Sequence, residues 1–404
     1  MKKNIITVLF VLFVVFNNTI VAQKKAKSIS TFVIQNNLNY EISETKVIAD
    51  SLYVLFVNPN EDGKCGYLDN KINVYSLNNQ QLCYANAPQY YSTEKKNYVN
   101  SKATVFTVSK KGFVLSSGRN QLLTDTKGNQ KTFSVWHNQI EHYKIVRDYT
   151  AYPILQIYDN KLLVSVIAYH KEDKKSYSLL ALYNIPEIQE KLDSVYKILP
   201  NYLIGEEVKT PFKTDLYDSF NKTYTAVSQK NKLIFVANDG NGLISVYENG
   251  KFKTTWGELQ KNLKPFKPLT NDTIITENKA NKNYQYTKIN KKRQYEFEYC
   301  AYRDMVFDDT HELLYRVYYL PVKKTPNLQN LPIEVVYEKL LEIDNKRVAY
   351  LQIFDKTGKK LLDTKIQSNS LLAGVSGDFV YFRQNVSDKL GDFKFYKYKL
   401  KNIF

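Results

Sequence analysis

The spacing most suggestive of a ligand in this chain is Asn58-Pro59-Asn60-Glu61-Asp62-Gly63, with Asp69 further on. Calcium loops place oxygen ligands at alternate positions, a glycine sixth and a carboxylate twelfth. Asn58, Asn60, Asp62, Gly63 and Asp69 fill those places. Asparagine opens the run, aspartate closes it, and no helical pattern precedes it. A polar turn around Pro59 therefore explains the same letters. Calcium is the one cofactor the sequence suggests; no other is expected.

A second group of carboxylates is Asp304, Asp308 and Asp309. Two carboxyls flanking a scissile bond could cleave a glycoside. Asp308 and Asp309, however, fall in a hairpin turn, where aspartate is common for backbone reasons. The zinc-protease helix motif, the phosphate-binding loop and the nucleophile elbow are all missing. Gly374-Val375-Ser376-Gly377 imitates the elbow, but its second glycine comes one position early. Gly240-Asn241-Gly242 is a turn between strands. The four histidines suggest no metal cluster; His137 and His142 stand in a stretch without helical periodicity and read as ordinary polar residues. No catalytic residue is assigned.

Cys65, Cys83 and Cys300 are the only cysteines. Pairing Cys65 with Cys83 would staple neighbouring strands, which an oxidising compartment permits. The other reading makes all three small buried hydrophobes. An odd count leaves at least one thiol unpaired within the chain or bonded to another molecule.

The elements that must position these residues are strands. Thirty-three tyrosines and 21 phenylalanines stand against two tryptophans and two methionines. That bias favours pleated surfaces. Short apolar runs flank tight polar turns at Ile48-Ala49-Asp50-Ser51, Val108-Ser109-Lys110-Lys111-Gly112 and Ile157-Tyr158-Asp159-Asn160. The same form returns at Val227-Ser228-Gln229-Lys230-Asn231, Phe307-Asp308-Asp309-Thr310 and Val375-Ser376-Gly377-Asp378. Each predicts a hairpin. A second turn follows most of these, at Leu77-Asn78-Asn79, Asp125-Thr126-Lys127-Gly128, Glu248-Asn249-Gly250 and Asp355-Lys356-Thr357-Gly358. Two successive hairpins make a four-stranded antiparallel sheet, and about six of them make an all-β propeller. Seven blades or tandem β-sandwiches are the alternatives, but sandwiches need Greek-key crossovers. Ser30 to Ile34 or Phe393 to Leu400 is expected to complete a blade supplied by the other terminus. Helical spacing is confined to Ile185 to Leu199, with Ile188, Leu192, Val195 and Leu199 on one face, and to the weaker Glu334 to Ile343.

The N-terminus carries an address. Lys2 and Lys3 precede the apolar run Ile5 to Phe16, and Ile20-Val21-Ala22 ends in a small residue before Gln23. This is the layout of a signal peptide over 1–22, cleaved between Ala22 and Gln23. The apolar run is short for a bilayer-spanning helix, which needs roughly 20 residues. No later segment is long enough to span one. A single propeller domain over 23–404 is expected in the periplasm or outside the cell.

Three segments carry a resemblance. They are Tyr302-Arg303-Asp304-Met305-Val306-Phe307-Asp308 running into Leu314 to Pro321, Tyr350-Leu351-Gln352-Ile353-Phe354-Asp355 with its Gly358 turn, and Leu371-Leu372-Ala373-Gly374 leading to Phe379-Val380-Tyr381-Phe382. On these the chain resembles an uncharacterised family of exported Bacteroidetes propellers, similar to the six-bladed TolB type. Members of that family often carry a lipoprotein cysteine, and here no cysteine follows the apolar run. The family implies the fold and no established activity.

The formal charge of +17 could serve a polyanion. The lysines are scattered along the whole chain and alternate with apolar residues, as on solvated strand faces, so nucleic acid is not an expected partner. The expected function is that of a monomeric cell-envelope binding or scaffold protein, recognising a protein or glycan through propeller loops. The alternative is a carbohydrate hydrolase or lyase using carboxylates at the channel mouth.

Overall fold

The computed structural model describes residues 30–35, 41–48, 51–57, 71–76, 82–86, 90–92, 97–99, 105–109, 112–117, 120–124, 130–135, 139–140, 142–147, 155–172, 175–185, 196–198, 200–204, 223–238, 242–257, 297–322, 331–367, 370–384 and 392–400. Strand β1 (Ser30–Gln35) comes first. The first sheet is β2 (Glu41–Ile48), β3 (Ser51–Val57), β4 (Lys71–Ser76) and β5 (Leu82–Asn86). A small hairpin, β6 (Tyr90–Ser92) with β7 (Asn97–Val99), follows it. The second sheet is β8 (Val105–Ser109), β9 (Gly112–Ser117), β10 (Asn120–Thr124) and β11 (Gln130–Val135). The third begins with β12 (Gln139–Ile140), β13 (Tyr143–Arg147), β14 (Leu155–Tyr158), β15 (Lys161–His170) and β16 (Lys175–Asn184). After β17 (Tyr196–Ile198), β18 (Pro200–Ile204) completes it.

The fourth sheet is β19 (Thr223–Ser228), β20 (Leu233–Asn238), β21 (Ile244–Glu248) and β22 (Lys251–Trp256). The fifth holds β23 (Ala301–Asp308), β24 (Leu313–Tyr319), β25 (Ala349–Asp355) and β26 (Lys360–Lys365). Helix α1 (Ile333–Lys346) lies between its second and third strands. The sixth is β27 (Ser370–Ser376), β28 (Phe379–Gln384) and β29 (Asp392–Lys399). Strand β1 joins its outer edge, with Ser30 opposite Lys397 and Gln35 opposite Asp392. The two termini thus build one sheet together.

One strand from each of these sheets, β2, β8, β14, β19, β23 and β27, touches the next in that order, and β27 touches β2 again. The fold is a β-propeller, with sheets set radially and faces packed against their neighbours. That packing explains why the middle strands do not alternate apolar and polar residues. In β24 nearly every side chain of Leu313 to Tyr319 is buried. Leu314 packs with Phe235, Trp256 and Phe307 towards the fourth sheet. Tyr315, Val317 and Tyr319 pack with Leu372, Val380 and Phe382 towards the sixth. Both faces of the strand lie between blades, so both are apolar.

The junction between last and first blades is tight. Gly374 sits at a bulge of β27 with φ of 148°. A Cβ there would lie 2.7 Å from both Cβ and O of Val47 on β2. Only glycine allows that approach.

Helix α1 forms where the weaker helical pattern predicts it. Val336, Leu340 and Ile343 face Phe297, and Val322 and Leu331 close over the contact. The other helical expectation fails at its end. Tyr196 to Ile198 is strand β17, which lies parallel to β11 on the edge of the second sheet. An open sheet edge offered these residues backbone partners, and alternating Tyr196 and Ile198 suit a strand as well as a helix face. Residues 186–195 lie outside the described residues.

Candidate functional site

The tight turns read from the sequence join antiparallel pairs in each sheet: β2 with β3, β8 with β9, β14 with β15, β19 with β20, β23 with β24 and β27 with β28. Positive φ angles at Asp159, Asn160, Lys232, Glu312 and Gly377 close them. In four consecutive sheets these turns are tied to one another. Gln229 donates to Ile157 O and accepts the Asp159 N–H at 3.1 Å. Asp309 accepts the Ser228 hydroxyl, the Gln229 N–H at 2.9 Å and the Lys230 N–H at 3.4 Å. His311 Nδ1 lies 2.5 Å from Asp308, and its Nε2 lies 3.9 Å from Asp378 in the next turn.

These contacts fix direction. The first turns of the third to sixth sheets lie side by side, so their inner strands run the same way. Over these four sheets one end of the ring is therefore built of short, mutually bonded turns. In antiparallel sheets the second-to-third-strand and sheet-to-sheet connections must emerge at the opposite end. Those connections are the long ones: 58–70, 205–222, 257–300 and 320–348, the last containing α1. Propeller loops of this kind can vary in sequence without disturbing the blades.

Near that second end, at the junction of the fifth and sixth sheets, stand Arg303, Asp304 and Arg383. Asp304 is the extra residue of a bulge between Arg303 and Met305. Its φ is 24°, which a side-chain-bearing residue rarely adopts. Such strain, and bulges in general, concentrate where a side chain must be re-aimed. Asp304 Oδ2 accepts the Leu372 N–H of β27 at 3.3 Å. The residue is half-buried. Burial pushes its pKa above the usual aspartate value; Arg303, the Leu372 N–H and Arg383 pull the other way. The Arg303 guanidinium lies 5.2 Å from the Tyr319 ring centre. The Tyr319 hydroxyl donates to Ser370 O at 2.6 Å, which fixes that ring. Arg383 is 9% exposed.

Deeper in the fifth sheet is a polar chain with a structural task. Arg316 is 1% exposed. It donates to Gln352 Oε1 through Nε at 3.1 Å and NH2 at 2.6 Å. NH1 donates to Gly242 O of the fourth sheet at 2.9 Å. Gln352 passes the link to Asp363 at 2.9 Å, which also accepts the Tyr318 hydroxyl at 2.9 Å. Burial lowers the Arg316 pKa to about 10, well above neutrality, so the side chain stays charged. The guanidinium packs over Tyr302, 4.4 Å from its ring centre. Cys300 beside it is a buried free thiol, raised by burial to about 12. A thiol so shielded is unreactive.

The candidate residues of the sequence are divided by the structure. Asp309 is a clamp between turns, and Asp308 caps its own turn by accepting the Thr310 N–H at 2.8 Å. Asp304 alone of that group faces a blade junction away from the turns. Asn58, Asn60, Asp62, Asp69 and Cys65 lie outside the described residues, as do Ala22 and Gln23. Cys83 is on β5, opposite Val74. His142 lies 3.0 Å from Glu172 in an exposed pair. Among the described residues no group of three His, Cys, Asp or Glu side chains could hold a metal ion. Arg303 and Arg383 were not singled out as site residues from the sequence; Arg303 adjoins Asp304 in the chain, and Arg383 acts on it from the sixth sheet. Among the described residues no helix is long and apolar enough to cross a membrane.

Neither a protein-family model nor a curated protein matches the sequence. Solved structures do. A member of the DUF4221 family from Bacteroides vulgatus superposes with a TM-score of 0.58 at 10% identity, covering 93% of this chain and 99% of that one. The β-propeller domain of the Trilobed protease from Pyrococcus furiosus gives 0.37 at 9% identity, over 89% of this chain and 95% of that one. The WD40 domain of SCAP from fission yeast gives 0.29 at 10% identity, over 93% and 99%. The first of these shows the fold; the other two are too distant to add to it.

Proposed function

We propose that this chain is an exported six-bladed propeller of the TolB type that binds a protein or glycan ligand in the cell envelope. Residues 1–22 leave as a signal peptide, cut between Ala22 and Gln23, and 23–404 form the one propeller domain. The cyclic contact of the six inner strands supports the blade number. The observation that carries the binding role is the difference between the two ends of the ring. One end is locked by turn-to-turn bonds from Asp309, Gln229 and His311, while the other carries the long connections and the Arg303–Asp304–Arg383 junction.

Intact mass of protein recovered from the native cell envelope or medium tests export; a chain beginning at Met1 refutes it. Affinity capture from envelope extracts, with a glycan array in parallel, tests binding. A ligand that is lost on grafting short turns onto the long connections supports the reading, and no retention on either platform ends it. Calcium at Asn58, Asn60, Asp62 and Asp69 belongs to the same proposal, with a rise in Tm on adding calcium as its sign. A second reading, a carbohydrate hydrolase or lyase, draws on the raised pKa of Asp304, which suits a proton donor. Turnover of any glycan that Asp304→Asn abolishes would favour it.

A further inference from the structure

We propose that the outer wall of the fourth and fifth sheets rests on an anionic lipid surface, with Phe252 and Leu361 entering it beside lysines. The inference goes beyond the binding reading above and does not depend on a ligand at the long connections.

Among the described residues, Phe252 and Leu361 are the two large apolar side chains that stand exposed, at 42% and 41%. Both lie on outermost strands, Phe252 on β22 and Leu361 on β26. Each strand begins just past a tight turn closed by Gly250 or Gly358 at positive φ. Each also carries a bulge, in which Lys253 and Leu361 are the extra residues. Bulges twist an edge strand and hinder pairing with a further strand. The two edges adjoin, because Trp256 at the end of β22 packs on Gly358, where a Cβ would fall 2.4 Å from its ring.

Lysines adjoin both apolar side chains. Lys251 and Lys253 flank Phe252, and Lys359 and Lys360 precede Leu361; all four are exposed. Lys253 pairs with Glu248 at 3.1 Å and Lys360 with Asp363 at 3.4 Å. Exposed pairs of this kind are weak, so these cations can trade a carboxylate for a phosphate headgroup. Lys251 and Lys359 stand outside both pairs. A lysine can lay its apolar stem along acyl chains and keep its ammonium among anionic headgroups, beside an apolar neighbour that enters deeper. A folded acidic protein fits less well. A stable protein interface needs roughly 800 Å² of surface on each partner, whereas these apolar side chains stand singly on two strands. A fluid lipid surface accepts separate side chains. A second copy of the chain is disfavoured by its own charge of +17.

The test is co-sedimentation of the mature protein with vesicles of phosphatidylcholine alone, and of phosphatidylcholine and phosphatidylglycerol in equal parts. Binding to the anionic vesicles is expected to be at least tenfold tighter, and to vanish in about 1 M salt, where charges are screened beyond about 3 Å. Lys251→Gln with Lys359→Gln, and separately Phe252→Ser with Leu361→Ser, should each weaken it at least fivefold without moving Tm. In Phe252→Trp, brominated acyl chains should quench fluorescence more than in the wild type, whose Trp256 is buried. Should either pair of substitutions lower Tm, the quenching alone decides. Equal binding to neutral vesicles, no vesicle binding, no response to either pair, or no added quenching in Phe252→Trp overturns the inference. So does an acidic protein captured from envelope extracts and lost on the same substitutions while vesicles are ignored. A ligand held by the long connections should survive all four substitutions, so failure of the lipid contact leaves the binding role standing. Vesicle binding by a protein that retains no other ligand leaves this inference standing when the binding role falls.

Discussion

Replacing Arg316 by methionine tests whether the blades are joined by specific polar links or only by apolar packing. Methionine keeps most of the side-chain length and loses the charge. Gln352 Oε1 and Gly242 O then lose their donors inside the protein. A buried acceptor left unpaired costs about 1–3 kcal/mol. Two of them cost about 2–6 kcal/mol, and the apolar contact regained by methionine brings the expected loss to about 1–5 kcal/mol. Gln352→Leu alone strands the guanidinium and should cost as much. The double variant removes donor and acceptor together, so it should cost less than the sum of the singles by about 1–3 kcal/mol. Urea unfolding followed by tryptophan fluorescence measures all three, and Trp256 reports on the fourth sheet next to Gly242. A cost for Arg316→Met below about 1 kcal/mol, or strict additivity in the double variant, would refute the reasoning.

Three further outcomes follow from the same structure. Gly374→Ala should lose about 2–4 kcal/mol, because it combines a strained φ with overlap against Val47, whereas Gly377→Ala, with open space around it but a φ of 51°, should lose only the strain of about 1–2 kcal/mol; thermal unfolding compares them. Asp304 has its pKa raised by burial, so the folded state holds the proton more tightly than the unfolded one. Wild-type stability should fall as pH rises from the ordinary aspartate value of 3.8 to the higher folded one, and Asp304→Asn should not show that fall; a pH series of urea melts reads the difference. Cys300 should resist a thiol reagent at pH 8 in the folded protein and react once urea is added, since its pKa is held near 12.

Much of the fold was legible because turns are local. Asp159-Asn160, Asn249-Gly250 and Gly358 need positive φ, and the residues that tolerate it announce themselves in the sequence. The repeated pair of turns therefore gave strand order within a sheet. The partnership of β1 with β29 was foreseen from the need to close the ring. The strand β17 was hidden, since its letters also fit a helix face and only a neighbouring sheet edge decides between them. The candidate site was less legible still. Asp304 was noticed for its neighbours Asp308 and Asp309, yet those two turned out to hold turns together. Arg303 adjoins Asp304 in the sequence, but the Leu372 N–H that Asp304 accepts comes from the packing of two sheets, which leaves no spacing in the sequence. Arg316 interrupts the apolar run of β24, but the sequence gave no hint that it reaches across to the fourth sheet.

The central claim is that ligand is taken at the end of the ring bearing the long connections. Photo-reactive residues placed one at a time on exposed positions of both ends address it directly. Glu172 and Gln367 represent the long-connection end, and Asn160, Lys230 and Asp378 the turn end. Crosslinking in intact envelopes should give adducts from Glu172 or Gln367 and none from the other three. Adducts from the turn end alone, or equally from both ends, would contradict the claim.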